Sequence, residues 1–84
     1  MTLVLLTWTD AMDYGKAWAS SIEAQTFADQ PSTMRSTGFL VSKTEKFVTL
    51  AGDWDTEDRN WGRLTKVPTG MVTDMQVVYS DDHD

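Results

Sequence analysis

The chain has 84 residues and no cysteine, 40% of its residues are hydrophobic, and its net charge is −6. This length allows one domain with a thin core, and the missing cysteines exclude disulfides and thiolate metal sites. The acidic balance disfavours direct binding to DNA or RNA, because that binding depends on neutralising phosphates. No apolar run approaches the roughly 20 residues of a membrane span. We therefore expect a cytoplasmic protein that does not bind membranes.

The N-terminal part of the chain predicts one strand and one short helix. Residues 2–9 combine Leu, Val, Thr and Trp, a composition typical of a buried strand. Ser20 and Glu23 have the spacing of a capping box, in which each side chain accepts a hydrogen bond from the other residue's backbone N–H. A helix is therefore predicted over Ser21–Ala28, and Pro31 prevents it from continuing.

Three apolar side chains predict how this helix is attached to the rest of the fold. Ile22 and Phe27, within the helix, are its expected core contacts. Trp18 is expected to pack the start of the helix against the sheet.

The remainder of the chain predicts four further strands separated by short turns. These strands are Met34–Ser42, Phe47–Ala51, Trp61–Lys66 and Met71–Tyr79, with a tight or 3₁₀ turn at Val67–Gly70. Gly38, inside the second predicted strand, indicates a bulge or a sharp bend, which a small barrel needs. The short, regular intervals between turn signals predict a small, curved antiparallel barrel.

The order of these elements resembles that of SH3-like and Sm-like barrels, with a short turn just before the final strand. We predict a mainly β fold, a five-stranded antiparallel SH3-like or Sm-like barrel with one short helix between strands 1 and 2. Residues 1–79 are expected to form this single domain, and residues 80–84 an acidic, disordered tail. A five-stranded oligonucleotide-binding barrel is the alternative, although its strands are usually longer and its helix comes later.

Several short pieces of the chain, taken together, resemble small phage- and prophage-encoded β-barrel proteins. The matching pieces are Trp8–Ala11, Trp18 with Ser20–Ala24, Thr37–Val41, Val48–Ala51 and Val67–Pro68 with Gly70–Val72. Most of them are core or turn positions, so the match depends on their order and spacing. The resemblance implies a phage accessory protein, and it supplies no activity and no catalytic residue.

No catalytic or cofactor motif is present, so we expect no enzyme activity and no cofactor. The one histidine, His83, lies next to the C-terminus, and a Ser-His-Asp arrangement is therefore implausible. Acids alternate from Asp53 onward as they do in calcium loops. However, Asp58 stands where such a loop needs glycine, and Leu64 where it needs glutamate. We predict no metal site.

Aromatic and basic side chains around the acidic segment 53–58 form the candidate ligand-binding site. The candidates are Arg59, Trp61, Arg63, Trp54 and Arg35. Trp61 and Arg63 alternate onto one strand face, and an arginine beside an aromatic ring suits a phosphate with a stacked base. The alternative is that the arginines pair with the nearby acids and the tryptophans cover the edge of a small core.

Three function hypotheses follow from these features. The first is a non-catalytic, phage-encoded binding protein that counteracts host defence by sequestering a small anionic nucleotide, a second messenger, in a homo-oligomer. The thin core favours oligomerisation. The second is an acidic interaction module that inhibits or adapts a host or phage protein, and the third is a minor virion or assembly component. We expect the protein in the host-cell cytoplasm.

Overall fold

The computed structural model describes residues 1–81, which form an antiparallel sheet with one α-helix and one 3₁₀ turn. The elements in chain order are β1 (Thr2–Thr9), α1 (Ser21–Ala28), β2 (Thr33–Lys43), β3 (Phe47–Asp55), β4 (Asn60–Pro68), the 3₁₀ turn (Thr69–Met71) and β5 (Val72–Ser80). The order of strands across the sheet is β4-β3-β2-β1-β5, and all neighbours are antiparallel. The predicted five-stranded, mainly β architecture with a short helix between β1 and β2 is confirmed.

The long strand β2 connects the two halves of the sheet. Its first part, residues 33–39, pairs with β1, and its last part, residues 39–43, pairs with β3. Phe39 belongs to both ladders, opposite Leu3 of β1 and Ala51 of β3. Within the described residues no ladder joins the outer strands β4 and β5, so the sheet is not closed. The fold is therefore barrel-like, with two free edges.

The core of this sheet is small. The buried hydrophobic residues in the described part of the chain are Val4 and Leu6 of β1, Val48, Leu50 and Ala51 of β3, and Val67 of β4. Trp8 packs against this cluster, and its indole N–H donates to Oγ of Ser36 at 3.0 Å. The cluster joins β1 to β3 across the intervening β2. Alternate strands of a flat sheet lie about 10 Å apart, so this contact indicates that the sheet curves.

Gly38 lies where β2 passes close to β3. It is buried, and a Cβ at this position would lie 2.7 Å from the carbonyl oxygen of Ala51. The sequence predicted a bulge or a bend at Gly38. The register of β2 with β3 shifts two residues later, between Leu40 and Ser42. Gly38 therefore permits a close approach of two backbones, and the bulge follows it in the strand.

The capping box of α1 forms as predicted, and the helix has the predicted bounds. Oγ of Ser20 accepts from the N–H of Glu23 at 3.1 Å, and Oε1 of Glu23 accepts from the N–H of Ser20 at 3.3 Å. A 3₁₀ turn also forms before β5, but at Thr69–Met71 rather than at the predicted Val67–Gly70, because Val67 and Pro68 still pair with β3. It is tied to the β2–β3 turn by Thr69, whose hydroxyl donates to the carbonyl oxygen of Thr44 at 2.8 Å.

The helix belongs to a projection formed by residues 10–32, which we call the arm. α1 contains no buried residue and has at most slight contact with any strand. Trp18 is 89% exposed and Ile22 is 80% exposed. The prediction that these side chains attach the helix to the sheet is therefore wrong, because the capping box specifies a helix locally and says nothing about its packing.

Contacts inside the arm hold its shape. At its base, the N–H of Asp10 donates to the carbonyl oxygen of Ser32, and the hydroxyl of Ser32 donates to the carbonyl oxygen of Asp10. The rings of Tyr14 and Phe27 meet edge to face, with centroids 5.5 Å apart. Phe27 therefore packs on Tyr14 rather than on the sheet, which corrects its predicted core contact.

The C-terminal segment was predicted as a disordered tail over residues 80–84. Ser80 is the last residue of β5, and the N–H of Asp81 donates to the carbonyl oxygen of Met1. Residues 82–84, including His83, lie outside the described residues. In the part of the chain that the structure describes, no helix is long and apolar enough to cross a bilayer.

Candidate functional site

The β3–β4 hairpin brings four of the five predicted site residues together. Its ladder continues beyond the predicted strand ends and places Trp54 opposite Trp61, with ring centroids 4.7 Å apart. Phe39 of β2 extends this aromatic cluster, with its centroid 6.5 Å from that of Trp61. Both tryptophans are half-buried, so the pair covers the sheet edge and still presents part of its surface.

The acidic loop is shorter than predicted because the cross-strand pairs extend to Asp55 and Asn60. Oδ1 of Asp55 accepts from the N–H groups of Glu57 at 3.0 Å and Asp58 at 3.2 Å. Arg59 completes the turn with φ 59°, and its N–H donates to the carbonyl oxygen of Asp55 at 2.8 Å. The turn therefore uses the Asp55 carboxylate for its own structure.

This turn geometry places Arg59 over the aromatic pair. Its guanidinium carbon lies 5.7 Å from the ring centroid of Trp54, within the range of a cation–π interaction. One alternative from the sequence was that the arginines pair with nearby acids. Arg59 instead contacts an aromatic ring.

Arg63 does pair with an acid. Its Nε lies 2.7 Å from Oδ2 of Asp53, and its Nη2 lies 3.3 Å from Oδ1 of the same carboxylate. The hydrogen bond from Arg63 lowers the pKa of Asp53, and the same bond raises the pKa of Arg63. Both side chains are largely exposed, so this ion pair contributes little to folding stability.

Arg35 is the predicted site residue that the structure does not place in the hairpin. It lies on β2 opposite Thr7 of β1. In the described residues no hydrogen bond or ring contact joins it to Trp54, Trp61 or Arg63. Arg35 is therefore separate from this aromatic cluster.

A pocket of about 490 Å³ lies between the core strands and the hairpin. Phe39 and Arg63 contribute to its wall, together with the hydroxyl-bearing residues Ser36, Thr37 and Thr65. A guanidinium and several hydroxyls around a concave surface suit a small polar ligand. Sequence reasoning did not find this pocket, because its residues come from four different strands.

The acids of the hairpin do not form a metal centre in the described structure. Among residues 1–81 no group of three or more His, Cys, Asp or Glu side chains is arranged to hold a metal ion. Asp53 bonds Arg63 and Asp55 bonds backbone N–H groups of the turn. Glu57 and Asp58 lie exposed at the tip.

A second surface, which we call the lysine face, was also missed by the sequence reasoning. It consists of Lys66 of β4 beside the exposed ring of Phe47, together with Lys43 at the end of β2 and Lys46 in the β2–β3 turn. Nζ of Lys66 lies 4.4 Å from the centroid of that ring. The signal in the sequence is two lysines near the β2–β3 turn, Lys43 at the end of β2 and Lys46 in the turn. The cross-strand pair of Phe47 with Pro68 brings the end of β4 beside them.

Comparison of the chain with protein-family models, with curated proteins and with solved structures finds no significant match. The resemblance to phage and prophage proteins therefore stays a prediction.

Proposed function

We propose that the protein is a non-catalytic binding module whose β3–β4 hairpin recognises an arginine-rich surface of a protein partner. The stacking of Arg59 on Trp54 carries this proposal. It places a guanidinium against the same aromatic surface that a partner's arginine would use. Aromatic rings attract guanidinium groups, and a desolvated contact of this kind contributes about 2 kcal/mol.

The charges around the rings support the same choice of partner. Asp53 and Asp55 are already engaged, whereas the carboxylates of Glu57 and Asp58 make no hydrogen bond in the described structure. Two exposed carboxylates beside an aromatic pair match the planar donors of arginine. An anionic partner would meet four acids over Asp53–Asp58 and is disfavoured at the hairpin tip.

An oligoarginine peptide provides a direct test. Titration of the peptide, followed by calorimetry, should give weaker binding to the double variant Glu57→Gln, Asp58→Asn than to the parent, by severalfold. Trp54→Leu should also weaken binding, because it removes the ring that receives the guanidinium. Both acids lie on the exposed tip, so the fold should be unchanged by circular dichroism.

A matched variant separates this site from the effect of net charge. Asp13→Asn with Asp74→Asn removes the same two charges far from the hairpin in sequence, and both residues are exposed. This control should bind the peptide nearly as well as the parent. Equal losses in the two double variants would mean that overall charge drives binding, and the proposal would be abandoned.

A second candidate function is favoured by the pocket beside Arg63. It is the sequestration of a nucleotide second messenger, as part of a phage defence against its host, with Arg63 on a phosphate and a base against Phe39. Because the ion pair of Arg63 with Asp53 is exposed, a phosphate could replace the carboxylate at low cost. Arg63 is thus the residue on which this alternative depends.

Calorimetry with cyclic dinucleotides and ADP-ribose derivatives tests this alternative. Arg63→Gln should abolish binding, whereas Asp53→Asn should strengthen it by releasing the guanidinium. Absence of heat with every nucleotide of the panel, measured on the parent protein, would remove this candidate and leave the protein-binding hairpin.

A further inference from the structure

The chain exposes more surface than a compact domain of its mass. Its accessible surface is 6556 Å², whereas about 5,000 Å² is expected for a monomer of 9.5 kDa. Its Cα radius of gyration is 17.0 Å, whereas about 12 Å is expected for a compact chain of this length. The excess of about 1,500 Å² is roughly twice the 800 Å² that each partner buries in a standard interface. Two interfaces per chain would therefore cover it.

The arm carries a large apolar part of this surface. Trp18 and Ile22 are almost fully exposed, and Ile22 lines a concave pocket of about 350 Å³ together with Met12, Tyr14 and Phe27. A helix of two turns is only marginally stable in water without a packing partner. Tryptophan is also enriched among the residues that contribute most to binding at interfaces. These features indicate that another surface covers the arm.

The charge of the arm restricts what that surface is. Residues 10–32 contain four acids and one lysine, so the arm has a net charge of −3. The lysine face has the opposite charge, and it offers apolar contacts because Phe47 is 39% exposed and Met71, at the adjoining 3₁₀ turn, is 41% exposed. Contact between two arms would bring like charges together, and so would contact between an arm and the acidic hairpin.

We propose that the arm of one copy of this chain docks on the lysine face of a second copy. The two contact surfaces are different, so the interface is heterologous and each copy uses its arm once and its lysine face once. Two interfaces per copy agree with the excess of exposed surface. Repetition of this contact gives a closed ring or an open filament.

Two sets of variants test this interface by light scattering. Trp18→Ala with Ile22→Ala impairs the arm, and Lys46→Glu with Lys66→Glu impairs the lysine face. All four side chains are exposed, so circular dichroism should show the parent fold. The parent should have the mass of an oligomer, and each double variant alone should have the mass of a monomer.

The decisive experiment is to mix the two double variants. Each retains one intact surface, so a heterologous interface predicts a dimer that contains one copy of each variant. A two-fold contact between arms predicts no mixed dimer, because the lysine-face variant would then pair only with itself and the arm variant would stay monomeric. Rising salt should dissociate the parent oligomer, because the contact joins opposite charges.

The hairpin variant Glu57→Gln, Asp58→Asn is the control, and its mass should equal that of the parent. Failure of this inference can therefore be told apart from failure of the hairpin as a partner site. A monomeric parent, an arm variant that keeps the parent mass, or a mixture that stays monomeric would each overturn the proposal.

Discussion

The guanidinium of Arg63 lies against the backbone of Gly52. A Cβ at residue 52 would be 2.8 Å from Nη2 of Arg63, and Nη2 lies 3.5 Å from the Gly52 carbonyl oxygen. Because Gly52 has no side chain, the guanidinium of Arg63 can pass over residue 52 and reach Asp53. Gly52 thus permits the hydrogen bond from Arg63 that lowers the pKa of Asp53.

We predict that Gly52→Ala raises the pKa of Asp53 towards its ordinary value. The added methyl group displaces the guanidinium, and the hydrogen bond from Arg63 is what lowers this pKa. An NMR titration of the Asp53 carboxyl measures the change. Gly70→Ala is the control, since nothing lies within 4 Å of a Cβ there. An unchanged titration of Asp53 in the Gly52 variant would refute the prediction.

The backbone conformation of Arg63 predicts that its glycine variant is more stable than its alanine variant. Its φ is 51°, a left-handed conformation that costs an L-residue roughly 1–2 kcal/mol relative to glycine. Arg63→Gly should therefore be more stable than Arg63→Ala by about 1 kcal/mol in urea denaturation. At Lys66 of the same strand, the alanine variant should be more stable than the glycine variant, because glycine weakens an ordinary strand position. The same order at both positions would contradict this explanation.

The close approach of β2 to β3 predicts that Gly38→Ala is destabilising. The new Cβ would lie 2.7 Å from the carbonyl oxygen of Ala51 and 3.3 Å from Cβ of Leu50. Overpacking of this kind costs about 1–3 kcal/mol of unfolding free energy. Gly15→Ala, in open space, should change that free energy little. Chemical denaturation of both variants checks the prediction, and equal stabilities would show that the backbones separate freely.

The hydrogen bond between Tyr14 and Glu23 predicts acid sensitivity of the arm. The bond, whose oxygens are 2.7 Å apart, is the main cause that lowers the pKa of Glu23. A lowered folded-state pKa means that the stabilisation is complete above the ordinary glutamate pKa of about 4.3 and is lost as the pH falls through the folded value. Tyr14→Phe keeps the ring and removes the hydroxyl.

In an NMR titration, the carboxyl of Glu23 should therefore titrate at higher pH in Tyr14→Phe than in the parent. The arm contacts of Phe27 should also depend less on pH in that variant. Ser32→Ala, which changes the base of the arm without touching Glu23, is the matched control. Identical Glu23 titrations in the parent and in Tyr14→Phe would rule out this explanation.

The features of the protein that follow from short stretches of sequence were predicted well. Ser20 and Glu23 indicated the start of α1, and the polar turns indicated five strands in their order along the chain. The signals are strong because a cap or a turn is a contact between residues only a few positions apart. The pairing of Trp54 with Trp61 was not predicted. It extends β3 and β4 into the acidic segment 53–58, whose composition indicated a loop.

The remaining features depend on contacts between distant parts of the chain. Local sequence specifies that α1 is a helix, but whether Trp18 packs inward depends on the curvature of a sheet assembled from residues far away. In the same way, the ion pair of Arg63 with Asp53 depends on the register of β3 and β4 and on the missing side chain at Gly52. Hydrogen bonds between neighbours in sequence are thus encoded locally, whereas packing and register are decided only when the whole sheet has formed.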